Sequence, residues 1–272
     1  MSKGASSSYY PEDNSSKISI LAVSDTHSAH AKININPKST ADIFIHAGDL
    51  TSHGTQEQLA DAIEWIASLP FPHKIVVAGN HDIGLDKDCD FRARLARKAG
   101  HYATADETDA LITSMKDKGI HYLSPENPEA ELSIRDHTVR VYGLPYTPEF
   151  FGPNAFQRNR KVDTWADLQS GLGSYDILIS HGPPKGYCDQ TRVGLRVGCE
   201  HFLAALKRVQ PKLSLVGHIH EARGTETITW ESGRSTELYN VAVMGWVYMS
   251  PPTTITLDLA GESRQAGLKA RY

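Results

Sequence analysis

The sequence predicts an α/β domain with sheets at the centre and helices packed outside. Three observations lead there. KISILAV (17–23), DIFIHAG (42–48) and KIVVAG (74–79) are short apolar runs rich in β-branched residues, the pattern of buried strands. An amphipathic helical stretch separates the second from the third, giving a βαβ-like order. The last quarter, with TETITW, TELYNVAV and TTITLDL, reads as strands joined by turns.

Taken in order, residues 1–16 are Ser-rich and polar and read as a flexible tail. After the second strand, Thr55 with Gln58 three residues on marks a capping box. Leu59, Ile63 and Ile66 then recur on one helical face, and Pro70 stops the helix. Residues 84–118 are charged and partly helical, notably around DFRARLARKAG (90–100). ELSIRD and TVRVYG alternate and form an antiparallel pair. PYTPEFFGPNAFQRNR (145–160) lacks periodicity and reads as a long surface loop, a common place for function. VDTWADLQSG (162–171) reads as a short helix, YDILISHG (175–182) as a strand, CEHFLAALKRVQP as a helix and KLSLVG (212–217) as a strand. No repeat or linker divides the chain. The expectation is one domain over 17–260 and a C-terminal tail over 261–272.

The 272 residues suffice to bury a substantial core. Net charge is −4, from 28 basic and 32 acidic residues, so neither a nucleic-acid-binding nor a membrane-surface excess exists. Three cysteines, Cys89, Cys188 and Cys199, form no CxxC pair and fit a reducing compartment with free thiols. No apolar stretch approaches the ~20 residues of a membrane span, and no secretory signal is visible. The expectation is a cytoplasmic protein without membrane or stable nucleic-acid partners.

Five apolar strands end in metal-binding residue types. They run into Asp25-Thr26-His27, Asp49, Asn80-His81-Asp82, His181, and His218-Ile219-His220. A small residue precedes each: Ser24, Gly48, Gly79, Ser180 and Gly217. Such residues let other groups approach closely. Asp25 and His27, like His218 and His220, are spaced i and i+2, which in extended chain places both on one face. Two Asp, one Asn and four His supply oxygen and imidazole donors without thiolate. That set suits Mn, Fe, Zn or a mixed pair. Seven donors exceed one tetrahedral zinc and suit two ions sharing a carboxylate. A single such histidine is ordinarily a turn or surface residue; five repetitions in strand order are not.

The ordered set D-x-H, GD, GNHD, isolated H and GHxH resembles the signature of the calcineurin-like metallophosphoesterases. AGNH, YGLPYTP (142–148), SHGPPKGYCD (180–189), RVGCEHFL (196–203) and GHIHE (217–221) are similar to the metallophosphoesterase-domain-containing subgroup of animals. The resemblance implies a four-layer αββα sandwich with two mixed β-sheets. It implies that Asp25, His27 and His220 hold one metal, Asn80, His181 and His218 a second, and that Asp49 bridges them. It also implies that His81 is catalytic and contacts substrate together with Asn80. Asp82 is read either as orienting His81 or as a turn residue.

Two ions ~3.5–4 Å apart generate hydroxide at neutral pH and clamp the attacking and leaving oxygens of an in-line displacement. Two divalent ions, two aspartates and one hydroxide leave a local charge of about +1, which attracts a phosphate ester. The expected function is a dinuclear phosphodiesterase on small nucleotides, cyclic ones included, with manganese favoured in vitro. The alternatives are a phosphomonoesterase or protein Ser/Thr phosphatase, and a non-catalytic metal- and nucleotide-binding module. Outside the motifs, His30 and His53 read as surface residues and His46 as a satisfied sheet residue. Arg192 and Arg196 read as solvated loop or phosphate contacts. Tyr146, Phe150, Phe151 and Phe156 read as core or as base-stacking groups.

Overall fold

Side-chain alternation along one strand explains the layers. In β2 (Ile43–Ala47), Ile43, Ile45 and Ala47 pack into a core shared with the opposite sheet. Phe44 and His46 point the other way, against Trp65 of helix α1 (Gln56–Ser68). The computed structural model describes residues 16–87, 104–150, 152, 154–168, 171–245 and 248–260. The two tails and the segment 90–100 expected to be helical fall wholly or almost wholly outside the described residues.

The first sheet has the order β13-β1-β2-β3-β4, from β1 (Lys17–Val23), β2, β3 (His73–Val77), β4 (Ile120–Leu123) and β13 (Thr253–Asp258). β1 to β4 run parallel, and β13 pairs antiparallel to β1. The second sheet has the order β11-β12-β10-β9-β6-β5. Its strands are β5 (Glu129–Ile134), β6 (His137–Leu144), β9 (Ile177–Ser180), β10 (Leu213–Val216), β11 (Gly224–Thr229) and β12 (Ser235–Asn240). Both sheets are mixed. Ile20, Ile45, Ile75 and Val77 meet Val139, Val141, Ile179 and Leu215 between them. Helices α1 and α2 (Ala105–Asp117) cover the outer face of the first sheet through Leu59, Ile63, Ile66, Leu111 and Met115. Helix α3 (Glu200–Val209) covers the second through Phe202, Leu206 and Val209. The four-layer α/β sandwich expected from the sequence is the observed architecture.

Local signals account for most element ends. Thr55 accepts the Gln58 backbone N–H, as a cap should. The reciprocal half of the box is missing, because the Gln58 side chain accepts from the His53 backbone instead. Helix α2 carries a full capping box between Thr104 and Glu107. Two readings need correction, and β4 is an addition: with four residues it is too short for a period-2 signal. Residues 162–168 form turns, not a helix. Asp163 Oδ1 accepts the Trp165 N–H at 2.9 Å, a local bond that competes with helix formation. Trp165 is buried and stacks on Phe202, which fixes the segment by packing. Finally, 145–160 is not simply a surface loop. It contains the short parallel pair β7 (Thr147–Pro148) and β8 (Gln157–Arg158) and buries Ala155 and Phe156.

The two sheets are stitched at one end. Ser24, just past β1, accepts the Val243 N–H and donates its own to Val241. Strands of both sheets therefore deliver their C-terminal ends to one seam. Truncating the inter-sheet core should weaken the whole assembly. Ile45→Ala is expected to cost about 2–5 kcal/mol, read as a lower urea midpoint with an unchanged slope.

Candidate metal centre

The strand ends do not reach the seam as extended chain. Asp25 (φ 57°), His27 (φ 43°), Ser28 (φ 58°), Asp49 (φ 55°) and His218 (φ 67°) all adopt left-handed backbone. The i, i+2 argument therefore paired Asp25 with His27 correctly but for the wrong reason, and it failed for His218 and His220, which fall in different donor groups. Tight turns, not a pleat, aim the side chains. Such conformations cost on the order of 1–3 kcal/mol each and persist where surrounding bonds impose them. Here the Asp25 N–H donates to Gly48 O (2.9 Å), His27 to Asp49 O (3.1 Å) and Ser28 to Leu50 O (3.0 Å). Two glycines are required by close approach. A Cβ on Gly48 would meet the His181 ring, and one on Gly217 would meet Ser24 and Asp25.

The seven expected donors come together. His220 Nε2 lies 3.0 Å from Asp25 Oδ1 and 3.3 Å from His27 Nε2. His181 Nε2 lies 3.0 Å from Asn80 Oδ1 and 3.3 Å from Asp49 Oδ2. The same Asp49 oxygen is 3.7 Å from His27 Nε2. Asp25, His27 and His220 form one potential metal-holding group, and Asp49, His181 and His218 another. Asp49 Oδ2 faces both. His218 and His220 thus serve different groups. Donors on one ion with ~2.0–2.2 Å bonds stand about 3.0–3.5 Å apart. The spacing and the thiolate-free donor set both fit two divalent ions. His27, Asp49 and His81 also lie within reach of a common ion.

Bonds behind these donors fix their orientation. His181 Nδ1 is 3.0 Å from Ala47 O, so it carries the proton and leaves Nε2 toward Asp49. His81 Nδ1 is 2.8 Å from Ser52 O, and its ring stands edge-on to His27 with centroids 4.7 Å apart. The His81 N–H donates to Asp49 Oδ1 at 2.8 Å, which holds the carboxylate in place. Asp82 accepts N–H bonds from Leu50, Thr51 and Gly79 and the Thr51 hydroxyl. It ties together the loops bearing Asp49 and Asn80; Ser52 O, rather than Asp82, orients His81. Asn240 binds the Gly217 and Ile219 carbonyls and accepts from Ala242. It shapes the turn carrying His218, and only its place at the end of an apolar strand hinted at it.

The electrostatics match a cation site. Burial alone would raise Asp25, but the His220 hydrogen bond and nearby imidazoles overcome it and lower the carboxyl to about 2. Burial opposes protonation of His181, yet Asp49 and Asp25 raise it to about 9. Burial, reinforced by His181, pushes His218 down to about 3, so its ring stays neutral and able to ligate. A metal ion entering near neutral pH competes with the proton on His181.

The remaining residues divide. His30 is buried, not a surface residue: it pairs with Asp61 at 3.1 Å and stacks on Trp65. His53 is exposed, as expected; His46 is buried with Nε2 3.0 Å from the Thr26 hydroxyl, but its buried Nδ1 has no hydrogen-bond partner among the described residues, so it is only half satisfied. Cys188 and Cys199 are free thiols, while Cys89 lies outside the described residues. Arg196 pairs with buried Asp189 at 2.8 Å, and the Arg192 N–H donates to Glu221. Tyr146 packs under the Arg158 guanidinium and Phe156 lies in the core, whereas Phe151 is outside the described residues. Phe150 lies beside His218, ring centroids 5.1 Å apart.

A family model described as calcineurin-like phosphoesterase matches residues 18–222. Metallophosphoesterase domain-containing protein 1 of Homo sapiens is 32% identical over 254 residues, covering 87% of this chain and 70% of that protein. A probable rhamnogalacturonate lyase C of Emericella nidulans is 35% identical over 216 residues. That match covers 79% of this chain but 18% of the longer protein, so the chain spans less than a fifth of it. One solved crystal structure shares the fold with a TM-score of 0.53 at 14% identity, covering 82% of this chain and 90% of that one.

Two outcomes are expected. Manganese uptake near pH 7 should release on the order of one proton, and affinity should rise from pH 6 to 9 by up to about tenfold per unit. Calorimetry in buffers of different ionisation enthalpy reads both, and a flat profile would contradict the competition. Asp82→Asn should weaken manganese binding about 10- to 100-fold, with the far-UV circular dichroism spectrum retained.

Proposed function

The chain belongs to the calcineurin-like phosphoesterase family, and from that premise we propose that it is a dinuclear phosphodiesterase acting on small nucleotide esters. Family membership and the clustered Asp and His side chains support a metal-dependent phosphoester hydrolase. One observation carries the dinuclear part of this reading: two donor groups share Asp49 Oδ2, 3.7 Å from His27 and 3.3 Å from His181. In this reading Asp25, His27 and His220 hold one ion, Asn80, His181 and His218 the other, and Asp49 lies between them. Bound ions, Mn, Fe or Zn by donor type, would supply Lewis acidity and a nucleophile at neutral pH.

The protein's own groups do the rest. Asp25 and Asp49 stay ionised and offset part of the ionic charge, leaving a site that draws in a phosphate ester. His81 is held by Ser52 O through Nδ1, so Nε2 is the nitrogen left to exchange a proton with a leaving oxygen. Asn80 uses its oxygen toward His181, and its amide lies 3.5 Å from Asn154 Oδ1, linking the site to the 149–155 loop. A diester is the choice that the similarity to the metallophosphoesterase-domain-containing subgroup favours. A cytoplasmic location goes with this reading: Cys188 and Cys199 are free, and no helix among the described residues is long and apolar enough to cross a membrane.

The test is parallel hydrolysis of bis-p-nitrophenyl phosphate and p-nitrophenyl phosphate with Mn²⁺. A diester preference abolished by Asp49→Asn is expected. A monoester preference would move the reading to a phosphatase. No turnover by protein carrying two ions would leave a binding module. His81→Ala should lower turnover by about 10²–10⁴-fold with metal content by mass spectrometry unchanged; full activity would remove His81 from the chemistry.

A further inference from the structure

Among the described phenylalanines, Phe44, Phe71, Phe156 and Phe202 are buried, whereas Phe150 stays exposed at 40%. Its exposure is not that of a loose loop tip. β7 and β8 bracket the segment as a parallel pair, and the Glu149 N–H donates to Arg158 O at 2.9 Å. The Phe150 N–H donates to Gln157 Oε1 at 3.4 Å. On the far side, the Ala155 N–H donates to Asn80 O at 2.9 Å and the Phe156 N–H to Asp86 at 2.8 Å. Glu149 and Phe150 are thus fastened to β8, and Ala155 and Phe156 to the turns that carry Asn80 and Asp86. The Phe150 ring stands against His218 at a tilt of 54°. A braced, exposed aromatic ring beside a metal-holding group is a preorganised surface for a planar partner.

We propose that Phe150 is a stacking platform for the nucleobase of the substrate, the group that sets specificity for nucleoside phosphates over other phosphate esters. This rests on the phosphoesterase reading of the same site. Phe150 flanks His218, while His81 flanks His27 in the other donor group. With His81 protonating the leaving oxygen, the group on Phe150 is the one that remains bonded to phosphorus. The product side of the reaction is then a nucleoside monophosphate.

AMP and ribose 5-phosphate share a phosphate and a ribose and differ in the base. Isothermal titration calorimetry of each into the Mn²⁺-loaded full chain isolates the stacking contribution without relying on turnover. Wild-type protein should bind AMP about tenfold or more tighter than ribose 5-phosphate. Phe150→Ala should remove most of that difference by weakening AMP, with ribose 5-phosphate changed by less than about threefold, while Phe150→Trp should keep it. A wild-type ratio near one, or a ratio that survives Phe150→Ala, overturns the platform. The two readings fail separately. Turnover of bis-p-nitrophenyl phosphate with no base preference leaves the phosphoesterase standing and removes the platform. A Phe150-dependent preference without turnover supports the platform and removes the enzyme.

Discussion

Asp49 is the group on which the site depends. One carboxylate oxygen is fixed by the His81 N–H, and the other stands between His27 and His181. Burial works against its charge, but the surrounding imidazoles keep its pKa far below the ordinary carboxylate range. Its left-handed backbone is what turns it into the seam. Replace that turn by extended chain and the carboxylate would follow the strand direction instead of facing both donor groups. Gly48, Asp82 and the Leu50 and Thr51 amides exist around this one placement: glycine clears the His181 ring, and Asp82 holds the loop that follows.

The strain has a structural counterweight. Several site residues adopt conformations costing on the order of 1–3 kcal/mol each. The apolar layer between the sheets, with Ile18, Ile43, Ile45, Ile75, Ile177 and Leu215 buried completely or nearly so, supplies the rigidity that imposes them. Ligand binding contributes in the same direction. An ion at a hundred times its Kd adds about 2.7 kcal/mol, comparable to one or two strained residues.

The sequence showed the site better than it showed the elements around it. Donors after five strands were legible because each motif joins a buried strand signal to an unusual polar ending, and their order matches a known family. The reason they converge was not legible. The i, i+2 rule assumes extended backbone, whereas Asp25, His27 and His218 turn left-handed through bonds to distant loops. Tertiary context also decided the misread parts. His30 is buried because Trp65 and Asp61 of α1 receive it. Residues 162–168 turn because Trp165 reaches Phe202. Asn240 has no local signature beyond closing an apolar strand; its side chain matters because a neighbouring strand ends in Gly217.

Each donor group draws on both sheets. Asp25 and His27 follow β1 of the first sheet, and His220 follows β10 of the second. Asn80 follows β3, while His181 and His218 follow β9 and β10. Ions held by these residues would join the two sheets at the end where Ser24 already stitches them. The apolar core sets the distance between the sheets, and the site reads out that distance as donor spacing. A core that relaxed by about half an ångström would shift the donors of the two sheets apart by more than the ~0.2 Å tolerance of a metal site. Catalytic geometry and core packing are therefore one constraint here, expressed at the seam as coordination and a few residues deeper as close packing.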